Sequence, residues 1–264
     1  PPIHLTSTYV QDGIGKNKGF DYSRGTNPTR ERLEKNIASL EGGYDAIAFS
    51  SGMAATTALL QHLKQGDHII ISRNVYGGTY RMTTQVLSNH GLKFDFVDTT
   101  DTQKIKEAIK PETKWVFIET PTNPMLEVTD IAAVSKICKE GNIKFAVDNT
   151  FMSPFGQRPI EHGADCVMHS TTKFIGGHSD VLGGVLVAKD KELSDKLHFI
   201  QKSGGAIPSP FDAWLLLRSV KTLGMRVQKA SDNAMAIAKY FESNSKIAKT
   251  IYPGLESHPQ NSIS

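Results

Sequence analysis

The chain has 264 residues, of which 39% are hydrophobic and 22% are charged, and its formal net charge is +3. These values are ordinary for a globular protein, and no apolar run approaches the roughly 18 residues that a membrane helix needs. The lysines are scattered along the chain, which argues against nucleic acid as a partner. We therefore expect a soluble protein with one large domain and a fragment, or with two small domains.

The two cysteines and the chain ends bear on compartment and completeness. Cys138 and Cys166 lie among apolar neighbours without CxxC spacing. This pattern is typical of buried free thiols in a reducing compartment, so we expect a cytoplasmic protein. The chain begins at Pro1 without a signal-peptide pattern, and residues 253–264 read as a loop with Pro, Gly and Ser. We expect the chain to be a segment of a longer protein.

The first predicted elements are an extended arm over residues 1–24 and a helix that begins near Thr29 and ends at Gly42. From residue 45 onward, short apolar strands alternate with helical segments. The predicted strands are DAIAFSSG, HIIIS, KFDFVD, KWVFIE, IKFAVD, CVM and VLGGVLVA. This alternation predicts an α/β fold with a mostly parallel sheet sandwiched by helices.

A lysine follows one of these strands in the string Ser170, Thr171, Thr172, Lys173. In an open α/β sheet, ligands bind beyond the carboxyl ends of the strands. A desolvated lysine beside phosphate-binding hydroxyls suits Schiff-base formation with pyridoxal phosphate, with Ser170 and Thr172 donating to the phosphate. The alternative is a solvated lysine in a loop rich in Ser and Thr, which so short a string does not exclude.

Three further positions follow the ends of predicted strands. Gly52 lies between a strand and a helix, where free N–H groups and the helix dipole favour phosphate. Asp148 ends the strand KFAV, and it either pairs with the pyridine nitrogen of the cofactor or caps the next turn. Tyr76 follows a strand and a turn, and it lies either over a flat ligand or in the core.

Two residues of the N-terminal part also suit an anion. Arg24 can bind a phosphate bidentately, and Tyr22 can add one donor, although a surface turn is the alternative. His178 could ligate a metal, but no second ligand stands at metal spacing. We predict no metal site.

Eight motifs along nearly the whole chain give a more specific signal than any one of these residues. They are PPIHLTSTY, DYSRGTNPTR, SSGMAA, VYGGTYR, ETPTNP, VDNTFMSP, HSTTKFIGGHSD and YPGLESHP. In this order and spacing they resemble the cystathionine γ-lyase and γ-synthase family of pyridoxal phosphate enzymes. The resemblance implies the aspartate-aminotransferase-like fold of fold type I.

The resemblance also implies a role for each candidate residue. Lys173 carries the cofactor and shuttles protons, and Asp148 pairs with the pyridine nitrogen. Tyr76 stacks on the ring and acts in acid-base steps at the leaving sulfur. The remaining cofactor-binding residues implied by the resemblance are Gly52, Met53, Ser170 and Thr172 at the phosphate, Asn123 at the ring hydroxyl, and Tyr22 and Arg24 at the phosphate of a neighbouring subunit.

The resemblance further implies a homotetramer built from dimers that share active sites, acting on a small amino-acid substrate. We expect an arm over residues 1–24, a pyridoxal phosphate-binding domain over 25–217, and a linking helix with the start of a C-terminal domain over 218–264. Residues 211–243 read as one long helix, interrupted at most at Gly224. The arginine that binds the substrate carboxylate is expected beyond the last residue.

Within the family, the residues favour a cystathionine γ-lyase. Gly78 stands where methionine γ-lyases carry a cysteine, and the run Ile207 to Pro210 resembles eukaryotic-type lyases, whereas Asp21 resembles the synthases. Gly25 departs from the usual Arg-Ser/Thr-Gly-Asn-Pro order and alters the turn. The alternatives are cystathionine γ-synthase, O-acetylhomoserine sulfhydrylase and, outside enzymes, an α/β module that binds a phosphate ligand.

Overall fold

The computed structural model describes residues 1–263. Within that range the strands are β1 (Asp45–Phe49), β2 (His68–Ser72), β3 (Lys93–Val97), β4 (Thr113–Glu119), β5 (Lys144–Asp148), β6 (Cys166–His169) and β7 (Gly184–Ala188). The α-helices are α1 (Pro28–Glu41), α2 (Gly52–Gln61), α3 (Gly77–Gln85), α4 (Thr102–Ala108), α5 (Ile131–Glu140), α6 (Ser153–Gly156), α7 (Lys191–Gly204), α8 (Pro210–Ser219) and α9 (Leu223–Glu242).

The described chain divides into two compact units. The first consists of Pro1–His62 and Cys166–Leu223, and the second consists of Leu63–Asp165 and the chain from Gly224 onward. The predicted boundaries after residues 24 and 217 stay a prediction.

The first unit contains an antiparallel three-stranded ribbon. β7 lies between β1 and β6 and pairs antiparallel with both, and every residue of β7 is buried. Helix α1 begins after Asn27, whose side chain accepts from two N–H groups of the first turn, and Pro28 occupies the first helical position. It ends at Gly42, whose φ of 73° closes the helix in the left-handed conformation, as predicted for the Gly42 position.

The second unit contains the parallel part of the fold. β4 lies between β2 and β5, and β3 borders β2 on the other side, with all three pairings parallel. The helices α3, α4 and α5 fall between these strands along the chain, as βαβ connections require. The predicted alternation of strands and helices is therefore confirmed, and so is the mostly parallel sheet.

The long helix predicted over residues 211–243 is broken earlier than expected. A 3₁₀ turn at Val220–Thr222 separates α8 from α9, so the break precedes Gly224. The hydroxyl of Thr222 donates to the carbonyl of Ser219 at 3.2 Å. A side-chain bond of this kind competes with the backbone bonds of a continuing helix, which gives a physical reason for the break.

The N-terminal arm is folded back on itself. Thr8 bridges Tyr22 in antiparallel fashion, and Gly13 bridges Lys16. The arm therefore presents the predicted turn near Tyr22 as the end of a hairpin-like segment.

Both cysteines are buried and neither forms a disulfide, as predicted. Burial raises the pKa of the Cys138 thiol to about 12, so this thiol is unreactive at neutral pH. Among residues 1–263, no helix has the length and apolar character needed to span a bilayer. No group of three His, Cys, Asp or Glu side chains in the same range could share a metal ion.

Candidate active site

A phosphate cluster, defined here as Gly52, Met53, Ser170 and Thr172, lies in the first unit. Gly52 is the first residue of α2, directly after the cap Ser51, whose hydroxyl accepts from Ala54 N at 3.1 Å. The earliest N–H groups of a helix have no partner within the helix. Gly52 and Met53 therefore present backbone donors at the positive end of the α2 dipole.

Glycine at position 52 lets two segments approach closely. A Cβ atom built on Gly52 would lie 2.8 Å from Ser170 Cβ and 3.1 Å from Ser170 Cα. A Cβ atom on Gly184 would lie 2.2 Å from the carbonyl oxygen of Ser51. Only glycine fits at either position, and the result is that Ser170 lies against the first turn of α2.

The hydroxyl of Thr172 fixes the turn that follows β6. It donates to Gly183 O at 3.3 Å and accepts from Gly183 N at 3.1 Å. Lys173 comes next and is solvent-exposed, and its ammonium has no hydrogen bond or ion pair within the described chain. The expected desolvated lysine is therefore not what the structure shows, because Lys173 lies on an open turn that joins β6 to β7.

Tyr22 and Arg24 lie together on the arm turn. The guanidinium carbon of Arg24 lies 5.3 Å from the centre of the Tyr22 ring, and Arg24 Nη1 donates to the carbonyl of Lys202. The buried Arg30 stabilises this turn, because its Nη1 donates to the Ser23 carbonyl at 2.8 Å. The two side chains are exposed at the end of a supported turn, where another molecule can reach them.

A carboxylate cluster, defined here as Tyr76, Glu119, Asn123 and Asp148, lies in the second unit. Glu119 ends β4 and Asp148 ends β5, and the two are register partners in the parallel ladder. Both are buried, with 5% of each residue exposed. Two acidic side chains thus lie next to each other at the carboxyl edge of the sheet.

Glu119 joins the predicted residues Tyr76 and Asn123. Its Oε2 accepts from Tyr76 N at 2.6 Å, and its Oε1 accepts from Asn123 N at 3.0 Å. Burial and, after it, the neighbouring charge of Asp148 together raise the pKa of Glu119 to about 8, while the two backbone bonds oppose the shift.

Asp148 caps the turn that follows its strand. Its Oδ1 accepts from Thr150 N at 3.0 Å and from Thr150 Oγ1 at 2.6 Å. The capping alternative raised by the sequence is thus present. It does not exclude a pyridine-binding role, because a carboxylate has several acceptor positions on its two oxygens.

A second acidic residue joins the same two loops on their outer side. Glu127 Oε1 accepts from Arg73 Nη2 at 2.6 Å, and Glu127 Oε2 accepts from Asn74 Nδ2 at 2.9 Å. The phenol of Tyr76, between these two anchors, is 47% exposed. The loops after β2 and β4 are therefore fixed while the aromatic ring faces outward.

Sequence reasoning missed Glu119. The signal was present, because Glu119 ends a buried strand in the same way as Asp148, and a buried carboxylate needs a partner. Its partners are the backbone N–H groups of Asn123, in the loop that directly follows, and of Tyr76, in a distant loop that no pattern along the chain connects with Glu119.

The family model for the Cys/Met metabolism PLP-dependent enzymes matches residues 1–264. The chain belongs to this family. Its cofactor is therefore pyridoxal phosphate, and the chain is part of an enzyme, which removes the alternative of a non-enzymatic binding module. The phosphate cluster fits the cofactor, because the approach of Ser170 to Gly52 adds a hydroxyl to the N–H groups at the start of a helix.

Relatives and solved structures carry several names. A protein of Herpetosiphon aurantiacus named "Probable cystathionine gamma-synthase" is 50% identical over 99% of this chain and 82% of its own length. A "Cystathionine beta-lyase" of Lactococcus lactis is 47% identical over 99% of this chain and 69% of its own. A crystal structure of cystathionine gamma-lyase from Lactobacillus plantarum with L-serine has a TM-score of 0.97, 44% identity, and coverage of 99% and 68%.

Several further relatives are named as cystathionine gamma-lyases. The TM-score to the Lactobacillus structure confirms the predicted fold of type I pyridoxal phosphate enzymes. The family and its cofactor are thus established.

Proposed function

We propose that this enzyme catalyses the γ-elimination of L-cystathionine to L-cysteine, 2-oxobutyrate and ammonia. The observation that carries the proposal is the close likeness of the whole chain to a cystathionine gamma-lyase structure, together with the repeated occurrence of that name among the relatives. The position of Gly78, where methionine γ-lyases carry a cysteine, adds to it.

The phosphate cluster holds the cofactor in this proposal. Backbone N–H groups of Gly52 and Met53 and the hydroxyl of Ser170 donate to the phosphate, and the Thr172 hydroxyl donates to it after turning its proton away from Gly183 O. The positive end of the α2 dipole favours the same dianion. Asn123 contacts the ring hydroxyl, and the loop that carries it is supported by the bond from Asn123 N to Glu119.

Three side chains move or hold protons. Pyridoxal phosphate, when bound, supplies an electron sink for negative charge at the substrate α-carbon. Lys173 Nζ carries the cofactor, and once released it takes the α-proton as a base. The Asp148 carboxylate keeps a proton on the pyridine nitrogen. Loss of a β-proton leaves the electron pair that forms the Cβ–Cγ double bond as the Cγ–S bond breaks, and the Tyr76 hydroxyl protonates the sulfur that leaves.

Three other reactions remain as competing proposals, and each leaves different products. A γ-synthase joins cysteine to an O-acylhomoserine, and an O-acetylhomoserine sulfhydrylase uses sulfide in its place. A β-lyase breaks the other C–S bond of cystathionine and yields homocysteine, pyruvate and ammonia. The name of the Lactococcus relative is the reason to include this last reaction, which sequence reasoning did not consider.

Product analysis of the purified holoenzyme separates these reactions. The enzyme is given cystathionine alone, and then O-acetyl- or O-succinylhomoserine with cysteine or sulfide. We expect 2-oxobutyrate and cysteine to dominate. Pyruvate and homocysteine would assign a β-lyase, and faster formation of cystathionine or homocysteine from the activated homoserines would assign a synthase or a sulfhydrylase.

Borohydride reduction followed by peptide mapping tests Lys173. We expect the pyridoxyl group on the peptide that contains Lys173, and we expect none after Lys173→Ala. The variant Lys202→Ala provides a control, because Lys202 is another lysine of the same unit without a proposed role. A label on any other lysine would contradict the assignment.

We also propose the assembly, the domain limits and the compartment given by the sequence. Tyr22 and Arg24 bind the phosphate of a neighbouring subunit in a cytoplasmic homotetramer, and their exposure on a supported turn supports this role. Mixing the inactive variants Arg24→Ala and Lys173→Ala should restore a fraction of the activity through mixed dimers. No recovery after subunit exchange would count against shared sites.

A further inference from the structure

One buried carboxylate fixes the backbone of two loops that carry proposed cofactor-binding residues. Tyr76 is the N-cap of α3 and has no side-chain cap of its own, but its N–H group bonds to Glu119 Oε2. Asn123 N bonds to the other oxygen. A glutamate in a capping box also bonds the N-cap N–H group, and here the glutamate comes from a strand that is distant along the chain.

The arrangement favours an ionised side chain. Each oxygen of Glu119 accepts one N–H group, and an ionised carboxylate can accept at both oxygens. A protonated carboxyl carries an O–H donor on one oxygen, and that donor would face a backbone N–H group. Protonation of Glu119 therefore weakens its hold on one of the two loops.

The charges around Glu119 do not compensate its own. Asp148 on β5 is its register partner and carries a like charge. On the β2 side, the Ser72 hydroxyl accepts from Glu119 N, and Arg73 forms its ion pairs with Asp98 and Glu127. Within the described chain Glu119 has no ion pair, so its charge is sustained by the two N–H groups and opposed by burial.

We propose that Glu119 is a positioning residue whose ionised carboxylate holds Tyr76 and Asn123 in the geometry that binds pyridoxal phosphate. The inference rests on the proposed roles of these two residues and is independent of which cystathionine reaction the enzyme performs. Glu119 acts through backbone bonds, so it is expected to change cofactor affinity and its pH dependence without contacting substrate.

The test compares Glu119→Gln with the wild type. Glutamine has the shape and charge of protonated glutamate, so the variant should fold as the wild type does when Glu119 is protonated. The apoenzymes are titrated with pyridoxal phosphate at several pH values, and the ratio of the two dissociation constants is calculated. Ionisation of the ligand and of Lys173 is common to both proteins and cancels in this ratio.

The ratio of the dissociation constant of Glu119→Gln to that of the wild type should rise with pH. Below about pH 7 most wild-type Glu119 is protonated, so the ratio should be close to one. Above about pH 9 the wild type has two charge-assisted bonds that the variant lacks, and the ratio should reach about tenfold. A ratio that stays constant within about twofold across this range would overturn the proposal.

Glu127→Gln is the matched control. Glu127 joins the same loops on their outer side through Arg73 and Asn74, so this variant also loosens them. The ratio of the dissociation constants of Glu127→Gln and the wild type for pyridoxal phosphate should not change with pH. An equal pH-dependent rise in both variants would mean that loop loosening alone accounts for the effect and would overturn the assignment to Glu119.

Amide exchange of the wild-type apoenzyme gives a second readout that needs no substitution. After correction for intrinsic rates, protection of peptides containing Tyr76 and Asn123 should rise through about pH 8. Unchanged protection would overturn the proposal even if Glu119→Gln failed to fold. Failure of cystathionine turnover would instead overturn the proposed function and leave these binding measurements unaffected.

Discussion

Around Gly52 the chain is held by close packing of backbone, whereas around Glu119 it is held by buried carboxylates. At the phosphate cluster, Gly52 and the neighbouring Gly184 leave no room for a Cβ atom, and the proposed donors are N–H groups and neutral hydroxyls. In the carboxylate cluster, Glu119 and Asp148 lie side by side, and their bonds depend on charge.

This difference separates two kinds of sensitivity. Neutral donors and close packing do not titrate near neutral pH, so the residues of the phosphate cluster should add no pH dependence of their own to ligand binding. The carboxylate cluster contains a group whose pKa burial raises to about 8. Steric substitutions at the phosphate cluster should therefore lower the affinity for pyridoxal phosphate at every pH. Substitutions that change charge in the carboxylate cluster should lower it only over a limited pH range.

The largest effect is expected from Gly184→Ala. The new Cβ atom would lie 2.2 Å from Ser51 O and 2.8 Å from Gly52 Cα, and backbone atoms cannot move aside easily. Overpacking of this kind costs about 3 kcal/mol, which corresponds to about a 100-fold weaker affinity for pyridoxal phosphate if the strain falls on the Ser51–Gly52 segment. The dissociation constant should rise by the same factor at about pH 7 and about pH 9.

Gly77→Ala is the control for this steric argument. Gly77 is the first residue of α3, as Gly52 is of α2, but a Cβ atom on Gly77 would have no atom within 4 Å. The affinity of Gly77→Ala for pyridoxal phosphate and its thermal unfolding midpoint should match those of the wild type. Equal losses in the two variants would show that the backbone freedom of glycine matters here, and not the close approach.

The next largest effect is a shift in the pH at which Glu119 ionises, and it is expected from Asp148→Asn. Removing the like charge beside Glu119 lowers the pKa of Glu119, so its carboxylate ionises at lower pH. The dissociation constants of Glu119→Gln and of its parent are compared again with Asp148→Asn present in both proteins. We expect the ratio of these constants to rise at a pH about one unit lower than it does without Asp148→Asn. The measurement is again titration of the apoenzymes with pyridoxal phosphate.

Asp98→Asn should leave that pH unchanged. Asp98 follows β3 in the same unit and pairs with Arg73 and Lys104, so it is a second strand-end aspartate without contact to Glu119. A shift of the same size in this variant would trace the effect to net charge and not to the neighbouring position of Asp148.

The sequence predicted the elements better than their pairing. Every strand predicted by apolar pattern is present, because buried strands need apolar side chains whatever their direction. For the same reason the pattern did not reveal that β7 pairs antiparallel with β1 and β6. The break before Gly224 escaped notice because it depends on the hydroxyl of Thr222 and not on a helix-breaking residue.

The candidate site shows the same limit. Gly52 and Asp148 were found because each follows a strand, which is a property of the local chain. Glu119 ends a strand too, but its partner at Tyr76 N comes from a distant part of the chain, and that contact exists only in the folded sheet. The sequence therefore pointed to residues that we propose touch the cofactor, and it missed the one that holds their backbone.

The smallest effect is expected from Thr150→Val, which removes the hydroxyl that donates to Asp148 Oδ1 at 2.6 Å and nearly preserves the side-chain shape. The bond from Thr150 N to the same oxygen remains. A single hydrogen bond contributes about 0.5–1.5 kcal/mol, so the dissociation constant for pyridoxal phosphate should rise by roughly twofold to tenfold.

Thr150→Ser retains the hydroxyl and should behave as the wild type. Because the hydroxyl does not titrate, the loss should be equal at about pH 7 and about pH 9. A loss that appears only at the higher pH would instead mean that Thr150 acts on the cofactor through the ionisation of Glu119.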